Sequence, residues 1–144
     1  MEDLQDGNLS RDTRTRWNRL ARHYGLVERL SERHLKNWRG VLWHHASGRI
    51  LEMGAGTGLN LPYYPAGAEI TACDLSEGML RTAMERARGK GLGVRFCEAD
   101  ICRLPFPDGV FDTAAATFVF CSLRDPVQVR DAVQRRLTLP GGAS

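Results

Sequence analysis

The chain has 144 residues, 42% of them hydrophobic and 26% charged, and a net charge of +3. That balance describes one soluble globular domain and excludes a disordered or fibrous chain. No apolar run approaches the roughly 18 residues that cross a bilayer, and Met1-Glu2-Asp3 lacks the basic-then-apolar order of a secretion signal, so a cytoplasmic protein is expected.

Between Arg11 and Arg39, nine basic residues (Arg11, Arg14, Arg16, Arg19, Arg22, Arg29, Arg33, Lys36, Arg39) stand against Asp12, Glu28 and Glu32, a local charge of +6. Trp17, Leu20, Tyr24, Val27, Leu30, Leu35 and Trp38 recur mostly at three- and four-residue steps, the pattern of amphipathic helices broken near Gly25. The expectation is a helical cap over residues 1–47, with Trp17, Leu20 and Tyr24 toward the following domain and the arginines in water. Attraction of this segment to an anionic membrane surface or to nucleic acid are the sharper alternatives. No aromatic-interleaved binding motif accompanies the charge, so no nucleic-acid partner is expected.

From Gly48 onward short apolar runs alternate with helical or loop segments, the order of a parallel sheet with crossovers, and residues 48–144 read as an α/β core. Strands are predicted over Arg49 to Met53, Glu69 to Asp74, Val94 to Glu98 and Val110 to Ala116. Ser76 can cap a helix through Met79, Leu80, Ala83, Met84 and Ala87 that ends at Gly89 and Gly91. Pro126 suits the first turn of a helix carrying Val127, Val129, Val133 and Leu137. The four cysteines, Cys73, Cys97, Cys102 and Cys121, form no C-x-x-C pair and read as small apolar residues rather than a zinc site or a disulfide framework.

The chemistry lies in the turn after the first strand, Glu52-Met53-Gly54-Ala55-Gly56-Thr57-Gly58-Leu59. Glycines at 54, 56 and 58 leave no Cβ between the main chain and a ligand. A P-loop would need a Gly-Lys-Ser/Thr ending, and a dinucleotide fingerprint would need its third glycine at 59, where leucine stands. Glu52 would repel a pyrophosphate, but a carboxylate there suits a ligand carrying an ammonium group and a sulfonium, the charges of S-adenosylmethionine. Asp74, 22 residues beyond Glu52, stands where a carboxylate accepts from ribose hydroxyls. Asp100, past the third strand, can accept from an adenine amine while Leu75 and Ile101 supply apolar contact. An aspartate after a strand is more often a turn former. Four such features at three successive strand ends are together specific.

These residues carry a resemblance. The chain resembles the class I S-adenosylmethionine-dependent methyltransferases of the methyltransferase type 11 group and is similar to the ubiquinone and menaquinone biosynthesis methyltransferases. The likeness rests on "ILEMGAGTGLNLPYYP", "ITACDLSEGMLRTAMERA", "EADICRLPFPDGVFDTAAATFVFCSLRDP" and "RRLTLPGG". It implies a Rossmann-like parallel sheet of order 3-2-1-4. It also implies that Gly54, Gly56 and Gly58, with Ala55 and Thr57 between them, hold the methionine moiety. Asp74 would take the ribose, Asp100 and Ile101 the adenine, and residues near Thr117 and Phe118 the methyl side. Members continue past the Pro-Gly-Gly with further strands, so a truncated domain is expected, with its fourth strand at an edge open to self-association.

An oxygen or carbon acceptor would require a proton acceptor as well as alignment. His23, His44 and His45 are surface or capping histidines on the simplest reading, and no catalytic residue is assigned. Two functions are carried: methyl transfer to a small or lipid-like molecule, weakly favoured by apolar Trp17, Tyr24, Phe118 and Phe120, or a non-catalytic module that binds S-adenosylmethionine.

Overall fold

The computed structural model describes residues 2–21, 23–117 and 125–138. Two long helices, α1 (Glu2–Ala21) and α2 (Tyr24–His44), precede a sheet of four parallel strands, β1 (Arg49–Met53), β2 (Glu69–Asp74), β3 (Val94–Glu98) and β4 (Thr113–Ala116). Helix α3 (Glu77–Gly89) joins β2 to β3, and α4 (Pro126–Arg136) follows β4. The strand order is β3-β2-β1-β4, the order expected from the sequence.

Each helix end has a local cause. The hydroxyl of Ser76 accepts from the Met79 amide at 3.2 Å and caps α3. Past its end Gly91 adopts a left-handed φ of 65°, which lets the Leu92 amide bond back to the Ala87 carbonyl at 3.0 Å. Asp125 caps α4 by accepting from the amides of Val127 and Gln128, with Pro126 in the first turn. Helix α1 ends at Ala21 and α2 begins at Tyr24, so the chain breaks near Gly25 as expected. Gly25 sits in the first turn of α2, where amides lack helical partners anyway.

The fourth strand begins at Thr113, three residues later than predicted. Asp112 Oδ2 takes the Arg49 amide at 2.8 Å, the donor that would otherwise extend the ladder toward Val110. Phe111 turns its backbone to the other side: its amide donates to the Arg136 carbonyl at 3.0 Å and its carbonyl accepts from Thr138 at 2.7 Å. The chain leaving α4 therefore already pairs, parallel, at Phe111↔Leu137 beside the start of β4.

Successive strand residues alternate between faces. On one face Leu51, Met53 and Cys73 pack with Leu104, Phe111 and α4 residues Val129 and Val133. On the other, Ile50, Ile70 and Ala115 lie under Trp43 of α2, and Ala72 lies under Leu80 of α3. Glu52 shares the parity of Ile50, so its side chain belongs to the face that α2 covers. Helix α1 docks on the start of α3, where Asn18 Oδ1 accepts from the Ser76 hydroxyl at 2.6 Å and from the Gly78 amide at 3.1 Å.

The helical segment inverts the predicted polarity. Leu30 and Trp38 are exposed, by 76% and 71%, whereas Arg39 is buried. The inward stripe of α2 is Glu28, Glu32, Leu35, Arg39 and Trp43, spaced by four, three, four and four residues. Trp17 and Tyr24 are half-buried and meet edge to face at 6.1 Å, while Leu20 is 40% exposed. The expectation that the arginines face water fails at Arg39, because buried carboxylates and amides there need a cation.

Candidate cofactor site

The C-terminal ends of β1, β2 and β3 form one rim. Hydrogen bonding continues just past β1 and β3: the Ala55 amide donates to the Cys73 carbonyl at 2.9 Å, and the Ala99 amide to the Asp74 carbonyl at 3.0 Å. These two bonds bring the Gly54–Gly58 turn, Asp74 and Asp100 to adjacent positions along the rim.

Gly56 has a left-handed φ of 56°, and a Cβ built there meets nothing within 4 Å, so open space lies in front of this backbone. Gly58, with φ 87°, is the opposite case. Its Cβ would stand 2.7 Å from Leu61 Cδ1 and 3.1 Å from Ala83 Cβ, so this glycine lets α3 approach the loop. Asp74 Oδ2 accepts from the Gly56 amide at 2.9 Å and Oδ1 from the Ser76 amide at 2.8 Å. One carboxylate thus joins the turn after β1 to the turn after β2 and retains lone pairs for further donors. Burial pushes its pKa above the ordinary carboxylate value, opposed by the amides of Ser76, Gly56 and Leu75.

Asp100 Oδ1 accepts from the Cys102 amide at 2.9 Å, and its carbonyl accepts from Arg103 at 2.9 Å, so this aspartate forms its own turn at the rim. Leu75 and Ile101 are half-buried beside it, Ile101 against the Leu51 core. Thr57 lies inward. Its hydroxyl donates to Glu28 and accepts from Arg86 at 3.1 Å, while its carbonyl also takes Arg86 at 3.0 Å. Ala55 is buried. Phe118, Phe120 and Cys121 lie outside the described residues.

Glu52 is 1% exposed and stands behind the loop. Asn60 and the Tyr64 hydroxyl donate to its two oxygens. Burial raises its pKa above the ordinary carboxylate value, against those two bonds and the nearby Arg39 charge. Burial and Glu52 likewise push the Tyr64 phenol far up. Arg39 donates to Glu32 at 2.8 Å, to Asn60 Oδ1 at 2.7 Å and to Thr117 Oγ1 at 3.3 Å. Asn60 also donates to Thr117 at 2.8 Å, and Arg86 pairs with Glu28 at 3.1 Å.

This polar lattice ties α2, the glycine turn, α3 and the end of β4 together. Sequence reasoning missed Arg39, Glu28, Asn60, Tyr64 and Arg86. The signal was present for the first two, since they share the four-three-four-four stripe of Leu35 and Trp43. A cleft of about 520 Å³ opens beside the lattice, lined by Gly25, Glu28, Glu32, Arg33, Lys36, Leu59 and Arg86. It lies between α2 and α3 and includes neither Asp74 nor Asp100. His44 and His45 precede β1, at the end of the sheet opposite the glycine turn.

A family model described as a methyltransferase domain, of type 11, matches residues 51–143. Demethylmenaquinone methyltransferase of Thermus thermophilus is 36% identical over 134 residues, 88% of this chain and 60% of that protein. Phosphatidylethanolamine N-methyltransferase of Cereibacter sphaeroides is 38% identical over 90 residues, 61% of this chain and 44% of that protein. The chain thus spans three fifths or less of the length of these curated relatives. A crystal structure of a SAM dependent methyltransferase from Aquifex aeolicus superposes with a TM-score of 0.58 at 26% identity, over 63% of this chain and 51% of that one. The glycine turn, the carboxylate that bridges it to β2 and the sheet order all lie inside the matched region, and the chain belongs to the type 11 family of class I methyltransferases, whose cofactor is S-adenosylmethionine.

Proposed function

We propose that the rim of β1, β2 and β3 binds S-adenosylmethionine through Gly54, Ala55, Gly56, Thr57, Gly58, Asp74, Leu75, Asp100 and Ile101, with Glu52 behind them, that Phe118, outside the described residues, contributes to the same cofactor, and that the protein transfers the cofactor's methyl group to a small-molecule or lipid-like acceptor. The observation that carries the cofactor part is Asp74, whose carboxylate is held by Gly56 and Ser76 at the mouth of an open glycine turn. The acceptor class rests on the relatives, one named for demethylmenaquinone and one for phosphatidylethanolamine.

The cofactor supplies a methyl group made electrophilic by a sulfonium. The protein's own residues orient and set charge. The open face of Gly56 lets a ligand lie against backbone amides, and Asp74 keeps acceptor capacity for a ribose diol. Leu75 and Ile101 offer apolar flanks for a purine. Thr57 acts through the loop backbone, because its hydroxyl is engaged by Glu28 and Arg86. Glu52 and Arg39 are both buried and meet through Asn60, so the field at the turn depends on both. Alignment for in-line displacement can carry much of the acceleration. No base is assigned.

Calorimetry with S-adenosylhomocysteine and with NAD tests the binding site: the first should bind and the second should not, and equal binding of both would remove the assignment. A radiolabelled methyl assay on a quinol and an aminophospholipid separates transfer from the alternative, a module that binds the cofactor without using it.

A further inference from the structure

Helix α2 turns its charged stripe inward and an apolar stripe outward. At 3.6 residues per turn, Leu30, Val41, Trp38 and Leu42 fall within about 120° of its circumference, opposite Glu28, Glu32 and Arg39. Leu30, Trp38 and Val41 are 76%, 71% and 59% exposed, and Leu42 is partly so. Such large side chains gathered on one helix face are uncommon on a soluble surface.

The charges bordering this face all have one sign. Glu28 and Glu32 are the only carboxylates of α2. Both turn inward, Glu28 to Arg86 and Glu32 to Arg39. Arg33 and Lys36 are exposed on the flank of α2 beyond Leu30, Arg33 next to the stripe and Lys36 about 60° further round toward the cleft. An outward face with tryptophan and leucine at its centre, cations at its margin and no carboxylate is complementary to an anionic lipid surface, where the rings and alkyl groups enter the headgroup region and the cations meet phosphate. Among the described residues no helix is long and apolar enough to cross a membrane, so contact of this kind is in the plane of the surface.

We infer that the Leu30–Trp38–Val41 face of α2 docks the protein on anionic bilayers. The inference does not depend on the acceptor. Because α2 also holds Thr57 through Glu28 and Asn60 through Arg39, docking places the glycine turn at a fixed side of the lipid surface.

The test is co-sedimentation of the full chain with vesicles of phosphatidylcholine alone and of phosphatidylcholine with phosphatidylglycerol. Binding to the anionic vesicles is expected, weakened by salt. It should fall roughly fivefold for each of Arg33→Gln and Lys36→Gln, and be lost in Leu30→Ser/Trp38→Ser, while Val127→Ser on the exposed part of α4 leaves it unchanged. Should the double variant fail to fold, brominated lipid should still quench tryptophan emission of the unaltered chain and lose most of that quenching in Trp38→Phe. Absence of binding, binding indifferent to these substitutions, or a dimer broken by Trp38→Ser in a chain that ignores vesicles would overturn the proposal. The last result would assign the face to a second copy.

Discussion

The turn after β1 and the helix that covers it obey opposite rules. In the turn, residue types and roles coincide: glycine where the backbone bends or is approached, aspartate where two amides converge. In α2 three charged residues, Glu28, Glu32 and Arg39, join Leu35 and Trp43 on the inward stripe, while Leu30, Trp38 and Val41 face water. The reason is that the lattice beneath α2 consists of Glu52, Asn60, Thr57 and Thr117, which burial would leave unsatisfied without partners. A helix bringing Arg39 and Glu28 to that lattice satisfies it, whereas a helix bringing leucine would strand it.

The comparison breaks most severely at Gly58. Valine there would force a β-branched residue into φ 87° and drive its Cβ to 3.2 Å from the Ala83 Cα, a backbone atom that cannot turn aside. Strain and overpacking together should remove roughly 3–6 kcal/mol of stability. Urea unfolding of Gly58→Val should show a midpoint far below the parent's, and an unchanged midpoint would mean that the loop and α3 are not packed as described.

Arg39 and Trp38 are neighbours that sharpen the same contrast. Arg39→Met leaves Glu32, Asn60 and Glu52 without their buried cation and should cost about 3–5 kcal/mol. Trp38→Ser, which removes a tryptophan, should change stability by no more than about 0.5 kcal/mol, since that ring is exposed. Thermal melts of the two variants decide whether the inward stripe is the charged one.

How far these features could be read in advance follows from their range. The Ser76 cap and the Pro126 helix start are local properties, carried by one serine and one proline, whereas the strand order was implied by the family resemblance and not by any local pattern. The start of β4 was misplaced because Asp112 competes for a backbone amide from another strand, a contact between residues 49 and 112. The burial of Arg39 was hidden by composition, because one buried arginine among nine basic residues looks like its solvated neighbours. Only its spacing from Leu35 and Trp43 distinguished it.

Asp74 lies at the boundary between the two regimes, a half-buried carboxylate that serves the loop and remains open to a ligand. Asp74→Ala should weaken S-adenosylhomocysteine binding by about 1.5–3 kcal/mol through loss of hydrogen bonds to a charged group. Calorimetry giving the parent's affinity would place the ribose elsewhere. Ser76→Ala removes the α3 cap and the Asn18 contact and should lower stability by about 1 kcal/mol, measured by chemical unfolding.

The smallest effect concerns a second arginine–carboxylate pair, this one in water. Arg49 reaches Asp112 at 3.1 Å at the opposite end of β1, with both side chains largely exposed. The Arg49 side chain and amide hold the Asp112 carboxyl down at about 2. A carboxyl depressed in the folded state contributes stability at pH above its unfolded value of about 3.9, and that contribution disappears as pH falls toward 2. Glu52 and Asp74 act with the other sign, because burial raises theirs: the folded state takes up their protons first, so lowering the pH through that range favours folding. The two effects are separated by difference. Urea midpoints of the parent and Asp112→Asn, compared from pH 6 down to about 2, should diverge at the upper end and converge at the lower, with added salt narrowing the gap. A gap that persists at the lowest pH would show that Asp112 acts through its neutral hydrogen bonds to Arg49 and Thr138, and that the exposed pair, unlike the buried one, contributes nothing through its charge.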